Sequence, residues 1–151
     1  MKKFAESIER EVQPEVFFTL SVKQGIQNDR GVFINGDREA YDRAMTGLLN
    51  DTAKRLRRGR QRRRRLSNLS TVERGRFGRN HIHGCIKLPP GVKFTEFRNA
   101  FIASWERSSW YLPKYDVQFL TGNAVGYILK EGQESILLSA THVPTLTESA
   151  S

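Results

Sequence analysis

Two strand-like runs stand almost back to back in the middle of the chain. Leu66 to Val72 and His81 to Leu88 are separated by a turn that Gly75 and Gly78 mark, and Pro89-Pro90-Gly91 stops the second run. So short a connection joins antiparallel neighbours, because a parallel pair needs a crossover of about a dozen residues or more. The other elements must assemble around this hairpin. Val16-Phe17-Phe18-Thr19-Leu20-Ser21-Val22 is rich in β-branched and aromatic residues and predicts a buried strand. Residues 25–36 carry Gly, Asn and Asp and read as loop or hairpin, with a short strand between Gly31 and Gly36. Tyr115 to Leu120 alternates as a strand does, and Ile136 to Ala140 predicts a last strand. Helical spacing places Ala40, Tyr41, Ala44, Leu48 and Leu49 on one face behind a capping Asp37. It also places Phe97, Ala100, Phe101 and Trp105 on one face of a helix begun by Thr95, and predicts a short helix over Ala124 to Lys130. Residues 1–13 read as a short helix or a loose arm ahead of Pro14. The order is β, α, β, β, α, β, α, β, which predicts an α+β sandwich: an antiparallel sheet with helices packed on one face.

The chain has 151 residues, enough for one domain with one real core. No repeat or internal linker divides it, so 1–151 is read as a single domain with its core at about 14–143. Lys and Arg number 25 against 16 Asp and Glu, a net charge of +9, which favours a polyanionic partner such as DNA, RNA or an acidic membrane surface. A single cysteine, Cys85, excludes an internal disulfide framework and a four-cysteine zinc site. No stretch approaches the roughly 18 apolar residues of a membrane span. The start, MKKFAESIEREVQPE, has lysines but no apolar core behind them, so an intracellular protein is expected, with no signal peptide.

Three segments carry chemistry. In Asn80-His81-Ile82-His83-Gly84, residues two apart on a strand share a face, so His81 and His83 project together with Ile82 opposed. Two imidazoles so placed can ligate one divalent metal; they also occur as ordinary strand histidines, and the pair alone leaves both open. In Gly126-Tyr127-Ile128-Leu129-Lys130, helical spacing points Tyr127 and Lys130 the same way. A tyrosine can attack a phosphodiester, and a neighbouring lysine can stabilise the phenolate or phosphate charge; a packed tyrosine and a solvated lysine give the same spacing. Glu73 lies across the hairpin from His81 and can add an oxygen ligand; Glu131 and Glu134 compete for that role.

Taken together, Phe17-Phe18-Thr19-Leu20-Ser21, His81-Ile82-His83-Gly84 and Tyr127-Ile128-Leu129-Lys130 resemble the three ordered motifs of the HUH endonucleases. More narrowly, the chain looks like the single-tyrosine replication initiators (Rep proteins) of rolling-circle plasmids, phages and small single-stranded DNA viruses. The resemblance runs from Val16 to Lys130. It implies a sheet of about five strands, an RRM-like sandwich, and nicking of single-stranded DNA at an origin hairpin through a covalent 5′-phosphotyrosine. It implies His81, His83 and Glu73 as ligands of Mn2+ or Mg2+, Tyr127 as nucleophile and Lys130 as its companion. With one tyrosine in the motif, a two-tyrosine mechanism is not indicated. About twenty residues follow Lys130 and no G-x-x-x-x-G-K loop occurs, so if the chain is complete a helicase is expected from a separate protein.

The run from Lys54 to Arg65 matches no motif of that family. Its density points to a phosphate-contacting surface, a solvated loop or, in a eukaryotic host, nuclear targeting. Arg62, Arg63, Arg64, Arg65, Arg74 and Arg79 are the expected DNA contacts. Phe77, Trp105 or Trp110 are candidates for stacking bases, although such residues are more often core. Cys85 follows the histidines in strand alternation and reads as a small filler, and His142 stands alone. Two other readings remain: a single-strand transposase or relaxase of the same superfamily, or a non-catalytic nucleic-acid-binding module.

Overall fold

The apolar run at 16–22 forms strand β1 (Val16–Val22), and it sits inside the sheet rather than at its edge. In the computed structural model, residues 2–56, 65–75, 79–119 and 135–143 are described. Helix α1 (Lys2–Val12) precedes β1, and a small hairpin of β2 (Gly25–Gln27) and β3 (Phe33–Asn35) follows it. Then come α2 (Arg38–Leu56), β4 (Asn68–Arg74), β5 (Asn80–Ile86), α3 (Phe94–Glu106) and β6 (Tyr111–Phe119). The main sheet has four strands in the order β4-β5-β1-β6, every neighbour antiparallel. The architecture is α+β. Pro113 is tolerated in β6 because it falls where the β1–β6 register shifts and because, among the described residues, β6 is an edge strand.

The main core lies between one sheet face and helices α2 and α3. Val16, Phe18, Leu20 and Val22 of β1, with Ile82 and Ile86 of β5, meet Tyr41, Met45, Leu48 and Leu49 of α2 and Phe97, Phe101 and Trp105 of α3. Phe18 and Phe97 both pack on Phe101, with ring centroids 5.1 Å and 5.6 Å away. Truncating a ring buried in this way costs about 3–5 kcal/mol. Asp37 caps α2 as the sequence predicts, its Oδ1 accepting from the Ala40 N–H at 2.8 Å.

Three expectations need correction. The helix expected from Thr95 starts one residue earlier, at Phe94, and its N-cap, Lys93, makes no side-chain capping bond. The strand expected at Tyr115 begins at Tyr111, so β6 is nine residues long. Ile136 to Ala140 is not a strand. Isolated bridges, Thr71 to Ile136 and Asn68 to His142, and side-chain bonds such as that from Nδ2 of Asn68 to the Ala140 carbonyl at 3.0 Å, join residues 136–142 to β4 in place of a ladder. Between them the chain closes a turn, with the Thr141 N–H donating to the Leu137 carbonyl at 2.9 Å. The Asp42 carboxylate accepts from the N–H groups of Ser139 and Ala140 at 3.0 and 2.9 Å, taking the donors that a ladder would use. Among the described residues the sheet therefore has four strands where about five were expected.

Where 1–13 was expected to be a short helix or a loose arm, Lys2–Val12 is a helix. Ala5, Ile8 and Val12 of α1 are buried against Leu69, Cys85, Ile136 and Val143, a second small core on the opposite sheet face. Gln13 ends it in the left-handed region at φ 51°, its N–H donating to the Glu9 carbonyl. No described helix is long and apolar enough to cross a membrane.

Candidate active site

The sheet face turned away from α2 and α3 changes character along its length. At one end Leu69, Cys85 and Phe17 stand side by side across β4, β5 and β1, with α1 and residues 135–143 packed on this small core. Burial pushes the Cys85 thiol up to about 12, so it is an inert filler. Further along, the rows become polar: Thr71, His83, Thr19 and Asp116 form one, and Glu73, His81 and Ser21 the next.

The register makes these rows. Thr19 pairs with His83 and Ser21 with His81 across β1 and β5, while Thr71 pairs with His83 and Glu73 with His81 across β4 and β5. A slip of one residue would turn Glu73 to the other face. The two imidazoles lie with ring centroids 6.0 Å apart. His83 is buried and each of its ring nitrogens has a partner. Nδ1 lies 3.0 Å from the Thr19 hydroxyl and Nε2 lies 2.6 Å from Oε2 of Glu73. Nδ1 of His81 lies 3.3 Å from the Ser21 hydroxyl.

A carboxylate oxygen only accepts, so at 2.6 Å Nε2 of His83 carries the proton and donates it to Oε2 of Glu73. A divalent cation would replace that proton, with the carboxylate drawn back from the ring nitrogen. Among the described residues, no three His, Cys, Asp or Glu groups already converge as a cation site; Glu73 closes directly onto His83. The donor set nevertheless suits a cation. Two imidazoles and a carboxylate suit Mn2+ or Mg2+, and hydroxyls at both Nδ1 atoms orient the rings with Nε2 outward, as outer partners of metal-binding histidines do.

Thr19 and Ser21 stand in the first of the three motifs, but the sequence assigned them no role. Their signal was present, since two hydroxyl residues alternate with Phe18, Leu20 and Val22 in an otherwise apolar strand. Gly84 is required by close approach: a Cβ there would fall 2.3 Å from Cζ of Phe18.

Of the expected DNA contacts, Arg74 is exposed at the end of β4, and Arg79 lines a cleft beside His81. Arg65 donates to the Ser139 carbonyl at 2.8 Å. Arg62, Arg63 and Arg64 lie outside the described residues, as do Phe77, Tyr127, Lys130, Glu131 and Glu134. Trp105 and Trp110 are buried, which makes them core rather than stacking surfaces. Phe119 ends β6 at one edge of the sheet, and Ser135 resumes beside Ile136, which bridges to β4 at the other edge. In the sequence, Tyr127 falls between those two points. No family model, no curated protein and no solved structure matches this chain.

Proposed function

We propose that the protein nicks and rejoins single-stranded DNA as HUH endonucleases do, and that its biological task is to start rolling-circle replication. The observation that carries this reading is the strand register that puts His81, His83 and Glu73 on the polar half of one sheet face, with a hydroxyl beside Nδ1 of each imidazole. The net charge of +9 suits a polyanionic substrate. In this reading His81, His83 and Glu73 hold a Mn2+ or Mg2+ ion. When bound, that ion supplies charge withdrawal from a phosphate oxygen and orientation of the phosphate.

The chain's own groups do the rest. The phenolate oxygen of Tyr127 bonds to phosphorus, and the bond from phosphorus to the 3′ oxygen breaks. The departing oxygen takes up a proton to become a free 3′-OH, while the 5′ phosphate stays on the tyrosine as a diester. Lys130 offsets charge on the phenolate or the phosphate. Because one phosphodiester replaces another, a 3′-OH can reverse the step without ATP. A transposase or relaxase would share the chemistry and differ in its DNA.

The test is a pool of single-stranded oligonucleotides incubated with the protein and Mn2+, run on a denaturing gel. A protein–DNA adduct that disappears in EDTA is expected. Cleavage that persists in chelator would contradict the reading, and so would intact DNA across the whole pool.

A further inference from the structure

Beside His81 the sheet end opens into a cleft of about 430 Å³, between the ends of β1, β5 and β6. Three cations line it, Lys23, Arg79 and Lys114, together with Gln24 and Asn80, and no carboxylate does. They come from three separate segments: the exit of β1, the residue before β5, and the middle of β6. Among the described residues, no ion pair neutralises any of them.

The backbone beneath these side chains is pinned. The Lys23 N–H donates to the Trp110 carbonyl at 3.1 Å, and the Lys23 carbonyl accepts from the Tyr41 hydroxyl at 2.9 Å. That hydroxyl in turn accepts from Nδ2 of Asn80 at 2.9 Å. One buried tyrosine on α2 thus ties the exit of β1 to the start of β5, and burial pushes its phenol up.

The β2–β3 hairpin rises directly from this wall, with the Gly36 N–H donating to the Gln24 carbonyl at 2.6 Å. It carries an exposed aromatic side chain, Phe33, 61% accessible. Its ring lies over Gly25, where a Cβ would come within 2.2 Å of Cζ, so glycine there lets the ring rest against the backbone. Gly25 follows Gln24, a cleft residue, so the hairpin that carries the ring begins where the cleft wall ends.

A cationic groove beside a base-sized apolar platform is how proteins hold single-stranded nucleic acid without reading its sequence. We infer that this cleft is a strand-binding subsite. Lys23, Arg79 and Lys114 contact phosphates of single-stranded DNA next to His81, and a neighbouring base stacks on Phe33. The inference rests on the nucleic-acid reading proposed above, but it does not require that the DNA be cut.

The test is fluorescence anisotropy with a labelled oligothymidylate in EDTA, over a range of salt concentrations, on the full chain. Lys23→Ala/Lys114→Ala is expected to lower the log–log salt slope by about 1.4, two phosphate contacts at about 0.7 each. Phe33→Ala is expected to weaken binding about 5- to 100-fold with the slope unchanged, and Phe33→Trp to restore it. Circular dichroism melts of all variants should match the parent. An unchanged slope in the lysine variant, an unchanged affinity in Phe33→Ala, or no binding by the parent overturns the inference. The nuclease reading fails separately: an unreactive protein in Mn2+ that still shows both dependences would keep the subsite and lose the enzyme.

Discussion

Replacing Thr19 by valine removes one hydroxyl and leaves nearly the same shape on β1. In the folded protein that hydroxyl lies 3.0 Å from Nδ1 of His83, a side chain buried between three strands with Glu73 on its other nitrogen. Two quantities should move. The lost hydrogen bond should reduce stability by about 1 kcal/mol, rising toward about 3 kcal/mol if Nδ1 stays unsatisfied. Metal affinity should fall further, because the ring loses the partner that fixes its tautomer and direction. Outer partners of this kind are worth about 10- to 100-fold in affinity, or about 1.4–2.7 kcal/mol. Titration calorimetry with Mn2+ and urea unfolding of the same samples separate the two effects. Thr19→Ser keeps an oxygen at the same position and should recover most of the affinity. The reasoning fails if folded Thr19→Val binds Mn2+ as tightly as the parent, or if serine does no better than valine.

Glu73→Gln keeps the size of the side chain and removes its charge, so Mn2+ affinity should drop more than DNA affinity, and raised metal should partly rescue cleavage; equal losses of both would refute the ligand role. Gly84→Ala forces a Cβ to within 2.3 Å of the buried Phe18 ring and 2.7 Å of the Leu69 carbonyl oxygen, so urea unfolding should show about 1–3 kcal/mol of destabilisation, and an unmoved midpoint would contradict the packing. Cys85 should resist thiol reagents at pH 8 in the native protein and react once urea unfolds it, since burial pushes the thiol up to about 12. Its folded value lies above the unfolded one, so its stabilising contribution is complete below about 9 and is lost as pH rises toward 12; stability that grew over that interval would reverse the sign.

The parts of the fold legible in the sequence were those set by local alternation. The bounds of β1 coincide with the apolar run Val16–Val22, and the two runs expected to pair do so as antiparallel β4 and β5. Strand periodicity also sufficed to put Glu73 opposite His81. What escaped was decided by distant partners. The segment 136–140 has the composition of a strand, yet Asp42, far away on α2, captures the N–H groups that pairing would have used. Helical spacing places Trp105 on the buried face of α3 with Phe97 and Phe101, whereas Trp110, past the end of that helix, is buried beside Tyr41 of α2, its ring centroid 5.2 Å away, which no local pattern encodes. The roles of Thr19 and Ser21 depend on the register of β1 against β5, strands separated by more than fifty residues of chain. The cationic cleft joins side chains from three segments, so neither Lys23 nor Lys114 stands out in the linear sequence.

The central claim is a covalent bond between DNA and one tyrosine, and peptide mapping by tandem mass spectrometry tests it directly. The protein is reacted with a cleavable single strand in Mn2+, digested, and the adduct peptide sequenced. The account predicts one nucleotide-bearing peptide, with the phosphate on Tyr127, and none from Tyr127→Phe, which should still bind the strand. A phosphate found on Tyr41, Tyr111 or Tyr115, or an adduct that survives in Tyr127→Phe, would contradict it.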